Sequence, residues 1–448
     1  MTPPTVTANS LEHHWMPFSA NKHFKQEPRL LTEGKGVYFK NHKGETLIDA
    51  VSGLFCSSAG HARQEIADAV QRQIMTLDYT PPFQYGQGLS FELARRVAAI
   101  APGDLNYVFF GCSGSEAVES AMKIALQYHR VRGHGQRTRF VSRERAYHGV
   151  NFGGISLAGM VRNREMFGLT LPGVSHIRHT WREETRFVKG QAETGADLAD
   201  DLQRHVELYG ADNIAACIVE PIAGSTGVLV PPKGYLNRLR EICTRHGILL
   251  VFDEVICGFG RTGKAFGGNS FGVTPDLMTM AKGITNGVIP MGAVAVSEAV
   301  YQAVVAAGPE KGIEFFHGYT YSAHPVACAA GLATLDIYEK EGLFERAAQM
   351  SPYFLDQVWT LKDHPLVVDL RGYGMLAGID IKPAEKPGAR GYELLQDLFK
   401  AGLMTRITND TILLAPAFIC EKSHIDEIVD KIRRVLDRHA KAGLRVVS

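Results

Sequence analysis

Two residues define the chemistry open to this chain. Lys282 follows the stretch Pro275-Asp276-Leu277-Met278-Thr279-Met280-Ala281, and Asp253 ends the apolar run Ile248-Leu249-Leu250-Val251-Phe252. An amine presented after a short β-like segment can form a Schiff base with an aldehyde. A carboxylate at the end of a buried strand can keep a pyridine nitrogen protonated, so that the ring acts as an electron sink. Pyridoxal phosphate chemistry asks a protein for this pair, and also for a phosphate cradle, a clamp on the ring and a substrate pocket.

Candidates for those further parts are spread along the chain. Phe110-Gly111-Cys112-Ser113-Gly114-Ser115-Glu116 follows one strand-like run and opens a helical pattern. Small residues there let backbone N–H groups approach an anion at the positive end of the helix, which makes Gly114 and Ser115 phosphate contacts. Ser113 and Glu116 also fit a capping box, and alone that reading would be preferred. Tyr147-His148-Gly149 offers an aromatic ring to stack on a flat cofactor, with a glycine beside it for close approach. Glu220 ends another buried run, either as part of the cofactor's surroundings or as a solvated strand-end acid. Arg406 precedes an apolar strand and could bind a substrate carboxylate through two parallel bonds, although most arginines sit on solvated faces. Gly258-Phe259-Gly260-Arg261-Thr262-Gly263-Lys264 spells two nucleotide-binding motifs at once. A helix should begin at its last glycines, and Ser or Thr should follow Lys264. Ala265 and a loop-like composition follow instead, so a nucleotide site is rejected.

The elements that must position these residues alternate in type. Strands are expected at Asn106–Phe110, Arg139–Ser142, Ile214–Glu220, Ile248–Phe252 and Met291–Val296, with helices at Glu116–Arg132, Leu198–Tyr209 and Tyr235–His246. This is an α/β pattern, a mostly parallel sheet covered by helices on both faces, whose ligands sit at the carboxyl ends of the strands. After residue 323 a long helix, Pro325–Glu341, leads to strands at Val367–Arg371, Leu376–Ile381 and Ile412–Ala415 and a closing helix, Ile425–His439. The expected division is an N-terminal segment 1–60, a large domain 61–325 and a smaller α/β domain 326–448 that the N-terminal segment joins. The polar stretch Arg182–Thr194 reads as a surface excursion.

Composition narrows the remaining classes. At 448 residues, 45% hydrophobic and 21% charged, the chain is globular and long enough for two or more domains. A formal net charge of +1 gives no reason to expect nucleic acid or an anionic membrane as partner. Met1–Ser10 has no basic or apolar region of the secretory type, and the apolar stretch Val294–Ala307 is interrupted by Glu298, so no bilayer span is expected. Seven scattered cysteines without a C-x-x-C pair read as reduced thiols of a cytoplasmic protein. No metal is expected, because the seventeen histidines include no H-E-x-x-H.

Taken together these residues resemble the class III pyridoxal-phosphate aminotransferases, over nearly the whole chain. The most specific match is Asp253-Glu254-Val255 with Gly258–Gly263 and Ala281-Lys282-Gly283. His317-Gly318-Tyr319-Thr320-Tyr321-Ser322 before Pro325 is a second. His14–Ser19, Leu77-Asp78-Tyr79 and Phe83-Gln84-Tyr85-Gly86 are similar to the β-alanine–pyruvate, or ω-amino acid–pyruvate, transaminases. The resemblance implies the fold-type-I architecture and a set of roles. Lys282 carries the cofactor and shuttles the proton. Asp253 pairs with the pyridinium, Val255 packs behind the ring and Tyr147 stacks in front, with His148 and Glu220 in the cofactor's surroundings. Gly114 and Ser115 hold the phosphate with Thr320 of a partner subunit, so the resemblance implies a homodimer, with a tetramer as the alternative. Arg406 takes the substrate carboxylate, and Phe18 and Phe55 line the substrate pocket with Tyr147. The implied reaction is ping-pong transfer of an amine to pyruvate. An (S)-selective amine–pyruvate or taurine–pyruvate transaminase, an aminomutase and a decarboxylating transaminase are the alternatives on the same scaffold. Two residues depart from the β-alanine subgroup: Phe55 stands in place of a tryptophan and Leu413 in place of a glutamine.

Overall fold

Uninterrupted apolar runs become strands covered on both faces, because a parallel sheet flanked by helices leaves no side of the strand in water. The computed structural model describes residues 11–446, so the reading of Met1–Ser10 lies outside the described residues. Its large sheet holds β1 (Tyr107–Gly111), β2 (Arg139–Arg143), β3 (Val174–Ile177), β4 (Ile214–Val219), β5 (Leu249–Asp253), β6 (Leu277–Ala281) and β7 (Gly292–Val296). Every residue of β4, β5, β6 and β7 is buried. The spatial order is β1-β7-β6-β5-β4-β2-β3. β7 runs antiparallel to both neighbours, and the remaining pairs are parallel. The apolar stretch that begins at Val294 is the end of β7 followed by the helix Glu298–Ala306.

Helix α1 (Gly114–Val131) buries Ala117, Val118, Ala121, Met122, Ile124 and Ala125, spaced to form one face toward the sheet. Helix α2 (Pro325–Lys340) starts with proline at its first turn, where no N–H is needed, and His324 Nδ1 accepts from Val326 N at 3.3 Å. Its Tyr338 hydroxyl donates to the carbonyl of Gly283 at 2.8 Å, which buttresses the turn that begins at Lys282.

Among the described residues there are two smaller sheets. One has the order Leu31–Lys35, Tyr38–Asn41, Thr46–Asp49, Leu403–Met404, so a C-terminal strand completes an N-terminal sheet. The other has the order Val367–Tyr373, Leu376–Ile381, Thr411–Leu414, Arg406–Thr408. The stretch 182–194 lies at the surface but is stapled to this second sheet. Asp369 accepts from Trp181 Nε1 at 2.8 Å and from Phe187 N at 2.7 Å, and Gly190 N donates to Gly372 O at 3.0 Å.

Several elements exceed the sequence expectations. β3 and the helices Gln64–Thr76, Gly88–Ile100, Leu343–Trp359 and Ala389–Lys400 are additional. β3 is a four-residue edge strand with a single buried residue, too short for its periodicity to stand out. Leu343–Trp359 carries Pro352 inside it, which on sequence grounds argues for a break.

Candidate active site

Parallel strands share one carboxyl edge, and the chemistry collects there. Asp253, the last residue of β5, is 4% exposed. Its Oδ2 lies 2.8 Å from His148 Nδ1, and its Oδ1 accepts from Val255 N at 3.2 Å. Two oxygens held in this way fix the carboxylate's rotation. His148, itself buried, acts on the site through Asp253. Glu220 stands just past β4, fully within the protein, and accepts from Tyr147 N at 3.1 Å. Burial pushes its pKa up to about 7; His148 opposes the rise and Asp253 adds to it.

Lys282 stands at the end of β6, immediately after Ala281. Its backbone is left-handed, with φ +52°, a conformation that costs a non-glycine residue about 1–3 kcal/mol and persists only where surrounding bonds impose it. Those bonds are Gly287 N to Lys282 O at 3.1 Å and the Tyr338 contact to Gly283. The amine lies 5.9 Å from the centre of the Phe55 ring. Burial lowers the pKa of Lys282; Cys56, Asp253 and Glu220 act in the opposite sense. A lowered pKa raises the neutral fraction of the amine, the form that can attack a carbonyl or accept a proton.

The start of α1 supports both readings of its sequence. Ser113 Oγ accepts from Glu116 N at 3.1 Å, and Glu116 Oε2 accepts from Cys112 N at 2.6 Å. The first intrahelical bond is Ala117 N to Ser113 O at 3.0 Å, so the amides of Gly114 and Ser115 precede it and are open to an anion. Of the three helix amides that precede it, capping therefore engages that of Glu116 and leaves those of Gly114 and Ser115. A Cβ on Gly114 would stand 3.0 Å from both methyls of Val255, so only glycine lets the helix start lie against Val255. Ser115 Oγ accepts from Val150 N at 3.1 Å, which ties the loop carrying Tyr147 to the same helix start. Gly149, at φ +95°, passes so close to Ser115 that a Cβ would fall 2.5 Å from that oxygen.

The outer wall is apolar with one cation. Arg406 is the cross-strand partner of Leu413, which shares a buried cluster with Phe55, Val51, Ile222 and Ile256. Arg406 lies within electrostatic reach of Tyr147. Burial raises the pKa of that phenol, Asp253 adds to the rise, and Arg406 lowers it. Two expected residues are not gathered in. Phe18 is 67% exposed and stands outside the cluster that holds Phe55. Thr320 is exposed, and among the described residues no hydrogen bond joins it to Gly114 or Ser115. Its loop nevertheless rides on α1: Tyr319 OH donates to Glu116 O at 3.0 Å, and His317 Nε2 lies 2.8 Å from Ser120 Oγ.

The glycine-rich stretch has a packing role. The helix after it, Gly267–Phe271, is five residues long, and the Glu254 carboxylate accepts from Gly267 N and Gly268 N at 2.8 and 2.7 Å. The two leading amides of this helix start are thus already taken by a buried carboxylate, whose charge disfavours a phosphate there. Arg261 is fully buried and donates to Pro416 O at 2.6 Å. Among the described residues no group of three or more His, Cys, Asp or Glu side chains is arranged to hold a metal ion, and no helix is long and apolar enough to cross a membrane.

A buried carboxylate, a left-handed lysine and two open amides at one sheet edge fit a phosphorylated pyridine aldehyde. Asp49 and Asn286 also belong to this neighbourhood and were not singled out in the sequence. A signal existed for the first, since Asp49 ends Leu47-Ile48 much as Asp253 ends its own run.

A family model described as aminotransferase class-III matches residues 19–436. An omega-aminotransferase of Caulobacter vibrioides is 52% identical over 435 residues, covering 97% of this chain and 99% of the relative. A beta-alanine–pyruvate aminotransferase of Pseudomonas aeruginosa is 47% identical over 440 residues, covering 98% of each. Among solved structures, an omega transaminase from Pseudomonas jessenii in complex with PMP superposes with a TM-score of 0.92 at 31% identity, covering 98% of each chain.

Proposed function

This chain belongs to the class III aminotransferases, a pyridoxal-phosphate-dependent family, and we propose that within it the protein moves the amino group of a β-alanine-like ω-amino acid or amine to pyruvate. The reaction is ping-pong and gives alanine and an aldehyde or ketone. The carrying observation is that Asp253 ends β5 and Lys282 immediately follows the neighbouring parallel strand β6, at one edge of the sheet. The curated relatives named for ω-amino and β-alanine transfer support the donor and acceptor classes.

When bound, pyridoxal phosphate supplies an aldehyde for the amine and a conjugated ring that takes up the electron pair released at the donor carbon. Asp253, its rotation fixed by His148 and Val255 N, would hold a proton at the ring nitrogen. Gly114 and Ser115 would bind the phosphate through their amides at the positive end of α1. Val255 and Tyr147 would hold the ring between them. Lys282 Nζ, whose pKa burial lowers, would take the proton from the amine-bearing carbon of the donor and deliver it to the carbon that carries the cofactor's aldehyde; such placed bases contribute about 10²–10⁴-fold. Arg406 would bind a donor or pyruvate carboxylate, and Phe55 would narrow the pocket.

Thr320 completes the phosphate site of a partner subunit in a homodimer. That assignment is supported by its exposure in the single chain and by the exposed aromatic residues beside it in the chain, Phe316 and Tyr321, 87% and 59% exposed. The proposed division is 1–60, 61–325 and 326–448, supported by the strand that the C-terminal part lends to the N-terminal sheet. The seven free cysteines fit a reducing cytoplasm.

A second reading keeps the chemistry and changes the donor to a neutral amine. It is favoured by the apolar cluster that Phe55 shares with Leu413, the cross-strand partner of Arg406. Absorbance tests the proposal. The purified protein's visible cofactor band should bleach with amine and return with pyruvate, and a panel of β-alanine, taurine, 4-aminobutyrate and 1-phenylethylamine should rank the donors. A band that amine leaves unchanged would sink the assignment.

A further inference from the structure

The wall residue Phe55 is held in an unusual conformation. Ser52, Gly53 and Phe55 have φ of +50°, +67° and +64°, left-handed backbone that two non-glycine residues adopt only under constraint. The constraint is traceable. Asp49, 2% exposed, accepts from Val51 N at 3.0 Å through one oxygen, and from Gly53 N at 2.6 Å through the other. The second oxygen also lies 2.8 Å from His61 Nε2, so the Asp49–His61 pair closes the ends of the loop 49–61. His61 is fixed in turn by paired backbone bonds with Gly36, at 2.8 and 3.1 Å, and its ring lies 4.2 Å from that of Phe39.

The loop is also tied to both sides of the pocket. Ala50 N donates to Met404 O at 2.9 Å and Ala415 N donates to Ala50 O at 2.8 Å, placing it between the strand Leu403–Met404, two residues before Arg406, and the end of the strand that carries Leu413. Asn286, which ends the turn begun by Lys282, accepts from Ala59 N at 2.9 Å and donates to Gly60 O at 2.8 Å.

We propose that Asp49 and His61 are positioning residues for the donor pocket, clamping the loop 49–61 so that the Phe55 ring stands beside the Lys282 amine and sets the size of donor admitted. The inference rests on the reading of Phe55 as a pocket wall. Asp49→Asn keeps the shape but loses an acceptor needed by Gly53 N or His61, so the ring gains freedom.

The test is a cycle of Asp49→Asn, Phe55→Ala and the double variant in the holoenzyme, with kcat and KM measured for 1-phenylethylamine and β-alanine. Phe55→Ala should shift the kcat/KM ratio toward the bulky donor by about 10-fold, within the range a pocket-wall change produces. Asp49→Asn should shift it the same way by about 5-fold, mainly through KM, and the double variant should match Phe55→Ala within about 2-fold because the clamp acts through that ring. If Asp49→Asn leaves the ratio unchanged, or adds independently to Phe55→Ala, the inference is overturned. If Phe55→Ala itself leaves the ratio unchanged while Lys282→Ala abolishes turnover, it is the pocket reading that fails. Should Asp49→Asn not fold, His61→Ala keeps both backbone bonds, frees the carboxylate to rotate, and decides between the same two outcomes.

Discussion

A buried carboxyl that keeps its proton to near neutrality makes the apoprotein's stability depend on pH, and Glu220 is such a group. Its pKa rises from the usual 4.5 to about 7, chiefly through burial. Between those values the native state holds a proton that the unfolded chain has released, so native stability falls as pH rises, beginning near 4.5 and complete above about 7. At about 1.4 kcal/mol per pH unit the interval corresponds to roughly 3 kcal/mol. Glu220→Gln removes the titration and keeps the shape, since the amide oxygen can still accept from Tyr147 N. The stability of the variant relative to wild type should therefore grow by roughly 3 kcal/mol between pH 4.5 and pH 8. Glu254 is buried, with its pKa also raised to about 7, so the variant should retain a residual slope of similar size. The assay is urea unfolding of the cofactor-free protein at fixed protein concentration across that pH range. Parallel profiles for variant and wild type would refute the argument.

Other outcomes follow from the site. Lys282→Ala should abolish transamination while the protein still binds pyridoxal phosphate, checked by equilibrium dialysis; residual full turnover would exclude the role. Asp253→Asn should lower kcat by about 10²–10³-fold, the usual loss when one preorganised charged partner is removed, and a smaller change for His148→Gln would fit a residue acting through Asp253. Arg406→Ala should reduce kcat/KM for β-alanine by about 10²-fold, as when a charge-assisted pair loses one member, and leave 1-phenylethylamine nearly unaffected. Mixed dimers of Thr320→Ala and Lys282→Ala subunits should regain one site of wild-type cofactor affinity. Recovery of nothing but the Thr320→Ala affinity would place Thr320 in its own subunit's site.

Legibility in the sequence followed locality. The helix Tyr235–His246 and the strand Leu376–Ile381 were legible to the residue, and β1, β5 and β7 to within one residue at each end, because each is bounded by strong local signals. β3 was not legible, since a half-exposed edge strand of four residues has little periodicity to read. The antiparallel direction of β7 was equally hidden: direction is set by the connection that precedes a strand, and an apolar strand buried on both faces looks the same either way. At the site, Lys282 stood out because it follows a short β-like segment, and Asp253 because it ends a continuous apolar run. Asp49 ends one of two residues and did not. Thr320 and Phe18 were reached through the resemblance alone, and the single chain does not gather either into the pocket.

The sequence by itself determined the reactive inventory: an amine and a carboxylate at strand ends, small residues at a helix start, and a glycine-rich stretch at whose last glycine no helix begins. These are properties of a few consecutive residues, governed by local propensity and hydrophobic pattern. Tertiary structure alone decided how that inventory is held. The left-handed turn at Lys282 rests on Tyr338, the rotation of Asp253 on His148, and the bent wall at Phe55 on Asp49 and His61. Strained backbone and a fixed carboxylate are stable only when distant segments impose them together, and no stretch of sequence carries the bonds that a remote partner supplies.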